Sequence, residues 1–299
     1  MGAALLITLR EGFEISLILA ILATYLVKTG RREALRQVWL GTGIALTGCL
    51  VVGIIVNAAV GGLHGKSEQA TEGIIALAAC GVLTWMIFWM RTNARSLGGE
   101  LRARIDQAAT PGAIVVIALV AVVREGLETV LFLLSARTES GSASGADVVI
   151  GGLIGLAIAA VLGWATYLGG ARINMRMFFN VTGVLLILFA AGLFGKAFHE
   201  LRELFGFESG WLIDSAWTVS SGPFADGSFY DFMKGFFGWA ASPERVRVIA
   251  YFVYLLPILL LFLKGDRAER SMSSTAPLAD TPSLSSSEAS SHRTSVTVG

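Results

Sequence analysis

The chain has 299 residues, 54% of them hydrophobic and 15% charged, a net charge of +1 and a mean hydropathy of +0.68. Soluble domains are about 45–50% apolar and about 25% charged, so an ordinary soluble domain is excluded, and the missing basic cluster argues against nucleic acid as a partner. Cys49 and Cys80 are isolated inside apolar runs, which argues against a disulfide framework or a thiolate metal site.

The apolar residues gather in runs near the length that crosses about 30 Å of hydrocarbon. Seven spans are predicted, at about 2–27, 39–60, 72–90, 112–136, 147–169, 178–197 and 246–263. All should be helices, because lipid offers the backbone no hydrogen-bond partners and the runs are too long for barrel strands. The fold class is thus an all-α membrane protein. Its membrane domain covers residues 1–265.

The first span, MGAALLITLREGFEISLILAILATYLV, carries Arg10, Glu11 and Glu14 in its middle. No positive segment precedes it, so it is not read as a cleavable signal peptide. Lys28, Arg31, Arg32 and Arg36 follow it. Spans two and three come next, and then Arg91, Arg95, Arg102 and Arg104. The fourth span repeats the opening pattern in ALVAVVREGLETVLFLLSA, with Arg124, Glu125 and Glu128. Arg172 and Arg176 follow span five, and Lys264, Arg267 and Arg270 follow span seven. Every second connection is basic, which places those connections in the cytoplasm, the N-terminus outside and the C-terminus inside. The expected location is the plasma membrane, or the inner membrane of a bacterium.

That orientation makes spans one to three start outside and spans four to six start inside. Both triplets open with Arg-Glu-Gly-x-Glu. The pattern predicts a 3+3 inverted repeat, with halves at about 1–91 and 112–197 and one additional helix. Such transporters hold substrate near the midplane between the halves. At 1.5 Å per residue, Glu11 and Glu125 lie about 14 and 17 Å from the outer ends of their spans.

Between spans six and seven, segment 198–245 is expected outside, as short amphipathic helices on the membrane surface, anchored by residues such as Trp211, Trp217 and Trp239. Residues 266–299 are Ser-rich and read as a disordered cytoplasmic tail.

Glu11 and Glu14 are three apart and share one helix face, as do Glu125 and Glu128. Arg10 and Arg124 each precede a glutamate by four, which permits an ion pair within each helix. Gly12 and Gly126 remove bulk beside the acids and let helix backbones approach, so that four carboxylates converge. An acid at a helix centre costs about 2.5–3.5 kcal/mol, so four unpaired ones would cost roughly 10 kcal/mol. Two Arg leave a formal charge of −2, which suits a multivalent cation. Oxygen donors favour hard ions but do not separate Fe²⁺, Fe³⁺, Mn²⁺, Mg²⁺ and Ca²⁺. Met86 and Met90 could add thioether, although Met at helical spacing reads first as core filling.

REGFE (10–14) and REGLE (124–128), each inside a predicted membrane helix, resemble the paired Arg-Glu-x-x-Glu motifs of the high-affinity iron permease family. The seven-span plan and HELRE (199–203), with the aromatic segment after it, extend the resemblance over about residues 1–265. It implies iron as the transported substrate, with Glu11, Glu14, Glu125 and Glu128 handling it. Its implied partners are the iron ion, the bilayer and an extracytoplasmic ferroxidase or iron-delivery protein.

His199, Glu200 and Glu203, with Glu68 and Glu72 and the nearby His64, are candidate outer capture groups; the plainer reading is a solvated helix end. Arg10 and Arg124 compensate charge or gate. Rival functions are another divalent-cation or proton-coupled transporter, or a non-transporting subunit of an oxidase complex. No nucleophile triad, phosphate loop or haem motif appears, so the chain is not read as an enzyme.

Overall fold

A computed structural model describes residues 1–62, 65–93, 97–108, 110–140, 145–168, 175–206 and 210–274. His64, Arg95, Arg172 and most of the Ser-rich tail lie outside these residues. Met1–Leu261 is one packed unit, and Phe262–Gly299 is a second.

Among the described residues the chain is helical, with no strand beyond one isolated bridge between Ser215 and Glu244. The helices are α1 (Gly2–Lys28), α2 (Leu35–Gly61), α3 (Lys66–Asn93), α4 (Leu97–Gln107), α5 (Pro111–Ser140), α6 (Gly145–Tyr167), α7 (Met175–Phe205), α8 (Gly227–Phe237) and α9 (Arg245–Ser274). Five segments, Arg32–Gly61, Lys66–Asn93, Ala146–Tyr167, Met177–Phe205 and Arg245–Lys264, are long and apolar enough to cross a membrane. The chain is therefore a multi-pass membrane protein. Helices α1 and α5, of 27 and 30 residues, are as long, but each carries a charged motif.

Three differences from the predicted elements stand out. The basic stretch after span three contains a helix of its own, α4. Helix α9 runs on to Ser274, into the segment expected to be disordered. Beyond the end of α7, the described part of segment 198–245 contains one helix, α8, which packs on α1, α5 and α7 and does not stand apart on a membrane surface. The cause is its apolar face: Phe236 is buried, and Phe232 lies so close to Gly2 that any Cβ there would strike its ring.

The long helices pair in a definite order. Helix α1 lies along α6, α2 along α5 and α3 along α7, and α1 also meets α5. Small residues set the first two pairs. On α6, Gly151, Gly155, Ala159 and Gly163 recur every fourth residue and so form one stripe. A Cβ on Gly155 would strike the Thr8 Oγ1 and the Leu5 carbonyl, and one on Gly163 the Ser16 Cβ. On α2 the same spacing recurs in Gly41, Ala45, Cys49 and Gly53, and a Cβ on Gly41 would strike the Val115 carbonyl of α5. In lipid, where burying apolar side chains drives little association, close backbone approach of this kind holds helices together.

Each end of the bundle is tied. At one end the Tyr25 hydroxyl meets Asp106 at 2.5 Å, and Arg31 donates to the carbonyls of Ile105 and Ala108, both at 3.3 Å. Leu22, Leu26, Val38, Ile105 and Ile114 pack there as one apolar cluster. This joins the end of α1 to the start of α5. At the other end Lys196 of α7 donates to the Thr138 carbonyl near the end of α5, and α8 covers Gly2 at the start of α1. Helices α1 and α5 therefore run in opposite directions, and the two charged motifs meet partway along them.

Candidate metal site

The apolar lengths of α1 and α5 bring their charged turns into the protein interior. Arg10, Glu11, Glu14, Glu125 and Glu128 are all buried. One carboxylate oxygen from each of Glu11, Glu14 and Glu125 lies within 4.8 Å of the others. Three of the four predicted glutamates thus converge. Glu128 lies outside that group, and its Oε1 accepts from Arg124 Nε at 3.1 Å.

Both ion pairs expected within the helices form. Arg10 Nη2 is 3.3 Å from Glu14 Oε1, an ion-pair distance without hydrogen-bond alignment, and Arg10 Nη1 donates to Glu11 Oε1 at 3.4 Å. Arg124 Nε is 3.7 Å from Glu125 Oε1. Glu11 Oε2, Glu125 Oε2, Glu128 Oε2 and Arg10 Nε find no hydrogen-bond partner among the described residues. A buried orphan acceptor costs about 1–3 kcal/mol, and more when charged. Like charges about 4 Å apart repel by about 4 kcal/mol even at an effective dielectric of 20. One guanidinium cannot offset three converging carboxylates, so with all groups ionised Glu11, Glu14, Glu125 and Arg10 carry a formal charge of −2. Oxygen donors, open lone pairs and that charge fit a divalent cation.

The motif glycines act differently from expectation. They do not bring the two acidic helices together. Gly12 faces α6, where a Cβ would lie 3.0 Å from Ala159 Cβ, and Gly126 faces α2, where it would lie 2.5 Å from Cys49 Sγ. Each seats its motif against the small-residue stripe of the other segment. The acids emerge on a different side of the same turn.

Helix α3 supplies partners that the sequence pattern did not reveal. Arg10 Nη1 donates to Met86 Sδ at 3.0 Å. The Arg124 guanidinium lies over Trp89, 4.3 Å from the ring centroid, and 5.3 Å from that of Trp85. Spacing shows an i, i+4 pair within one helix; it does not show which residues of another helix arrive opposite. Beside Glu14, the ring of Phe13 packs on Phe178 and Phe179 of α7, at centroid distances of 4.5 and 6.3 Å.

The candidate outer groups form a second charged cluster where α3 begins and α7 ends. Lys196 is buried, 2.7 Å from Glu72 Oε2 and 3.8 Å from Glu200 Oε1. His199 Nδ1 is 3.2 Å from Glu244, and Arg202 is 2.7 Å from the same carboxylate. Glu203 accepts from Gln69 at 2.8 Å. Glu68 is exposed. The cluster is therefore neither a freely solvated helix end nor a bare acidic mouth: its acids already hold cations of the protein. Lys196 was not singled out in the sequence. A lysine in the last turns of an apolar run was the available signal.

Residues 1–268 match the Iron permease FTR1 family. The chain is 36% identical to the ferrous iron permease EfeU of Escherichia coli O157:H7 over 279 residues, which cover 91% of this chain and 98% of that one. It is 36% identical to the EfeU of Yersinia pestis over 271 residues, covering 88% and 93%. No solved structure matches the chain.

Proposed function

We propose that this chain, which belongs to the Iron permease FTR1 family, carries ferrous iron across the membrane by way of Glu11, Glu14 and Glu125, with Glu128 joining them when Arg124 lets go. It is an iron transporter and not an enzyme. The observation that carries the site assignment is the convergence of three buried carboxylates with unpartnered oxygens. Ferrous rather than ferric iron is proposed because the relatives are named ferrous iron permeases.

All seven long helices span the membrane in this reading, with α1 and α5 as the charged pair. The 3+3 repeat is supported by the packing order. Exchanging α1, α2 and α3 with α5, α6 and α7 turns the pair α1–α6 into α5–α2 and leaves α3–α7 and α1–α5 unchanged. The opposed directions of α1 and α5 support an inverted arrangement. The basic connections favour an outside N-terminus and a cytoplasmic C-terminus. Glu72, Glu200, His199 and Glu203, with exposed Glu68 nearby, would then receive iron at the outer mouth. A ferroxidase or iron-delivery protein on that side remains the proposed partner.

The test is radio-iron uptake into proteoliposomes, with Fe²⁺ and Fe³⁺ supplied separately. Glu11→Ala, Glu14→Ala and Glu125→Ala should each reduce Fe²⁺ uptake to near background while the protein still inserts. Wild-type uptake by the quadruple mutant that also carries Glu128→Ala refutes the site. Uptake of Mn²⁺ or Ca²⁺ in preference to iron would favour the general divalent-cation carrier.

A further inference from the structure

Carboxylates alone discriminate poorly among divalent ions, because they offer hard oxygen to all of them. Something else on the wall of the site must make the distinction. Among the described residues one soft donor touches a motif charge: the Met86 thioether, which meets Arg10 and whose side chain is almost wholly buried.

We infer that Met86 is a specificity-determining residue, whose sulfur favours ferrous iron over Mn²⁺, Mg²⁺ and Ca²⁺ at the Glu11–Glu14–Glu125 site. The inference rests on the site assignment above. Its geometry is carried by Arg10. One nitrogen, Nη1, touches both Glu11 Oε1, at 3.4 Å, and Met86 Sδ, at 3.0 Å. That nitrogen marks a position from which a cation reaches oxygen on one side and sulfur on the other. A dication that competes Arg10 away from Glu11 inherits both contacts. The unbranched Met side chain has the freedom to follow it inward. Mg²⁺ and Ca²⁺ gain little from a thioether, Mn²⁺ somewhat more, and Fe²⁺ more again in the usual order of transition-metal affinity.

Simple core filling would require only bulk. A leucine has nearly the same volume and is usually tolerated in such a place. It would not accept the Arg10 N–H, and Arg10 Nε already has no partner among the described residues. Sulfur therefore has two separable properties here: it accepts a hydrogen bond from Arg10, and it is soft. Met86→Leu removes both. Met86→Gln restores an acceptor for Arg10 but supplies hard oxygen.

The experiment measures Fe²⁺ uptake by the full chain in proteoliposomes, competed with Mn²⁺, Mg²⁺ or Cd²⁺. Both variants should still transport Fe²⁺. Both should lose about tenfold in preference for Fe²⁺ over Mn²⁺, and both should be blocked less by the soft ion Cd²⁺. Wild-type competition in Met86→Leu overturns the inference. So does wild-type competition in Met86→Gln alone, since the thioether would then act only by holding Arg10. Should neither variant accumulate, selenomethionine-labelled wild type loaded with Fe²⁺ must show an iron–selenium path in its X-ray absorption, and its absence overturns the inference. The site assignment fails by a different result, uptake that survives loss of the glutamates.

Discussion

Removing the two motif arginines should have unequal consequences, although their sequence contexts are nearly identical. Arg10 is 2% exposed and stands 3.3–3.4 Å from two buried carboxylates. Arg124 is 35% exposed, and part of its charge is met by Trp85 and Trp89. Breaking a buried pair by deleting one partner costs about 3–5 kcal/mol, because the surviving charge is left uncompensated. Deleting Arg124 also strands the buried Glu128, but water reaches the exposed side of this pair, so the loss is smaller, about 1–3 kcal/mol, with about 0.5–1 kcal/mol more for the cation–π contact. At about 2–4 °C per kcal/mol for a chain of this order of size, Arg10→Met should lower the melting temperature by about 6–20 °C. Arg124→Met should lower it by less, about 3–16 °C on the same scale. The assay is the fraction of detergent-solubilised protein that remains monodisperse after heating. Adding Glu11→Gln and Glu14→Gln to Arg10→Met should recover most of the loss, since the stranded charges are then gone. Equal losses for the two arginines, or no recovery in the triple variant, would refute this electrostatic account.

Gly155→Ala forces a methyl onto the Thr8 hydroxyl and the Leu5 carbonyl, and should destabilise by about 1–3 kcal/mol. Gly43→Ala meets nothing within 4 Å and should be neutral or slightly stabilising in the same heating assay. Replacing His199, Glu200 and Glu203 together by Gln should raise the KM for iron and leave the maximal rate nearly unchanged, with the difference shrinking at high salt as screening grows; initial rates at two ionic strengths measure it. A cysteine at Arg104 should react with an impermeant reagent only from the cytoplasm and one at Ala146 only from outside, and labelling of both from one side removes the proposed orientation.

The helices and the acidic motifs were legible in the sequence because membrane length and intramembrane charge are local signals. Seven long helices coincide with the predicted runs, and Glu11, Glu14 and Glu125 do converge. What spacing could not reveal is the identity of neighbours on other helices. Gly12 and Gly126 were expected to draw the acidic helices together, yet they seat against Ala159 and Cys49. The every-fourth stripes on α2 and α6 were visible in retrospect, but glycine is abundant throughout the chain and a stripe names no partner. Met86 read as filler because contact with Arg10 depends on the packing of α3, which no motif encodes. The outer residues were read as solvated or as bare ligands because the decisive partners arrive from other elements: Lys196 of α7 meets Glu72 of α3, and Glu244 meets His199 and Arg202.

The two segments exchange in packing but not in chemistry. The acids of α1 lie beside a buried guanidinium and a thioether, while those of α5 lie beside a half-exposed guanidinium on two indoles. Such asymmetry can set which resting state is favoured. It cannot drive net movement, because an equilibrium bias alone gives no direction. The direction of iron uptake must come from a gradient, and the charge of the loaded site decides which one. If Fe²⁺ moves alone, two charges cross, and each is worth about 2.3 kcal/mol per 100 mV, so about 4.6 kcal/mol is available from an inside-negative potential of that size. If two protons leave the glutamates as iron enters and return the other way, the charges cancel and the potential contributes nothing. Proteoliposomes clamped at 0 and −100 mV with a potassium ionophore separate the two. If the acids stay ionised, their formal excess of two over the motif arginines balances one Fe²⁺, and the carrier would be nearly neutral when loaded and negative when empty. Return of the empty carrier then moves two negative charges outward, a step that the inside-negative potential favours. Initial Fe²⁺ uptake should therefore rise steeply with the clamp and saturate once return is no longer limiting. Uptake that is equal at both potentials, with alkalinisation of the lumen on iron entry, would assign the energy to proton exchange instead.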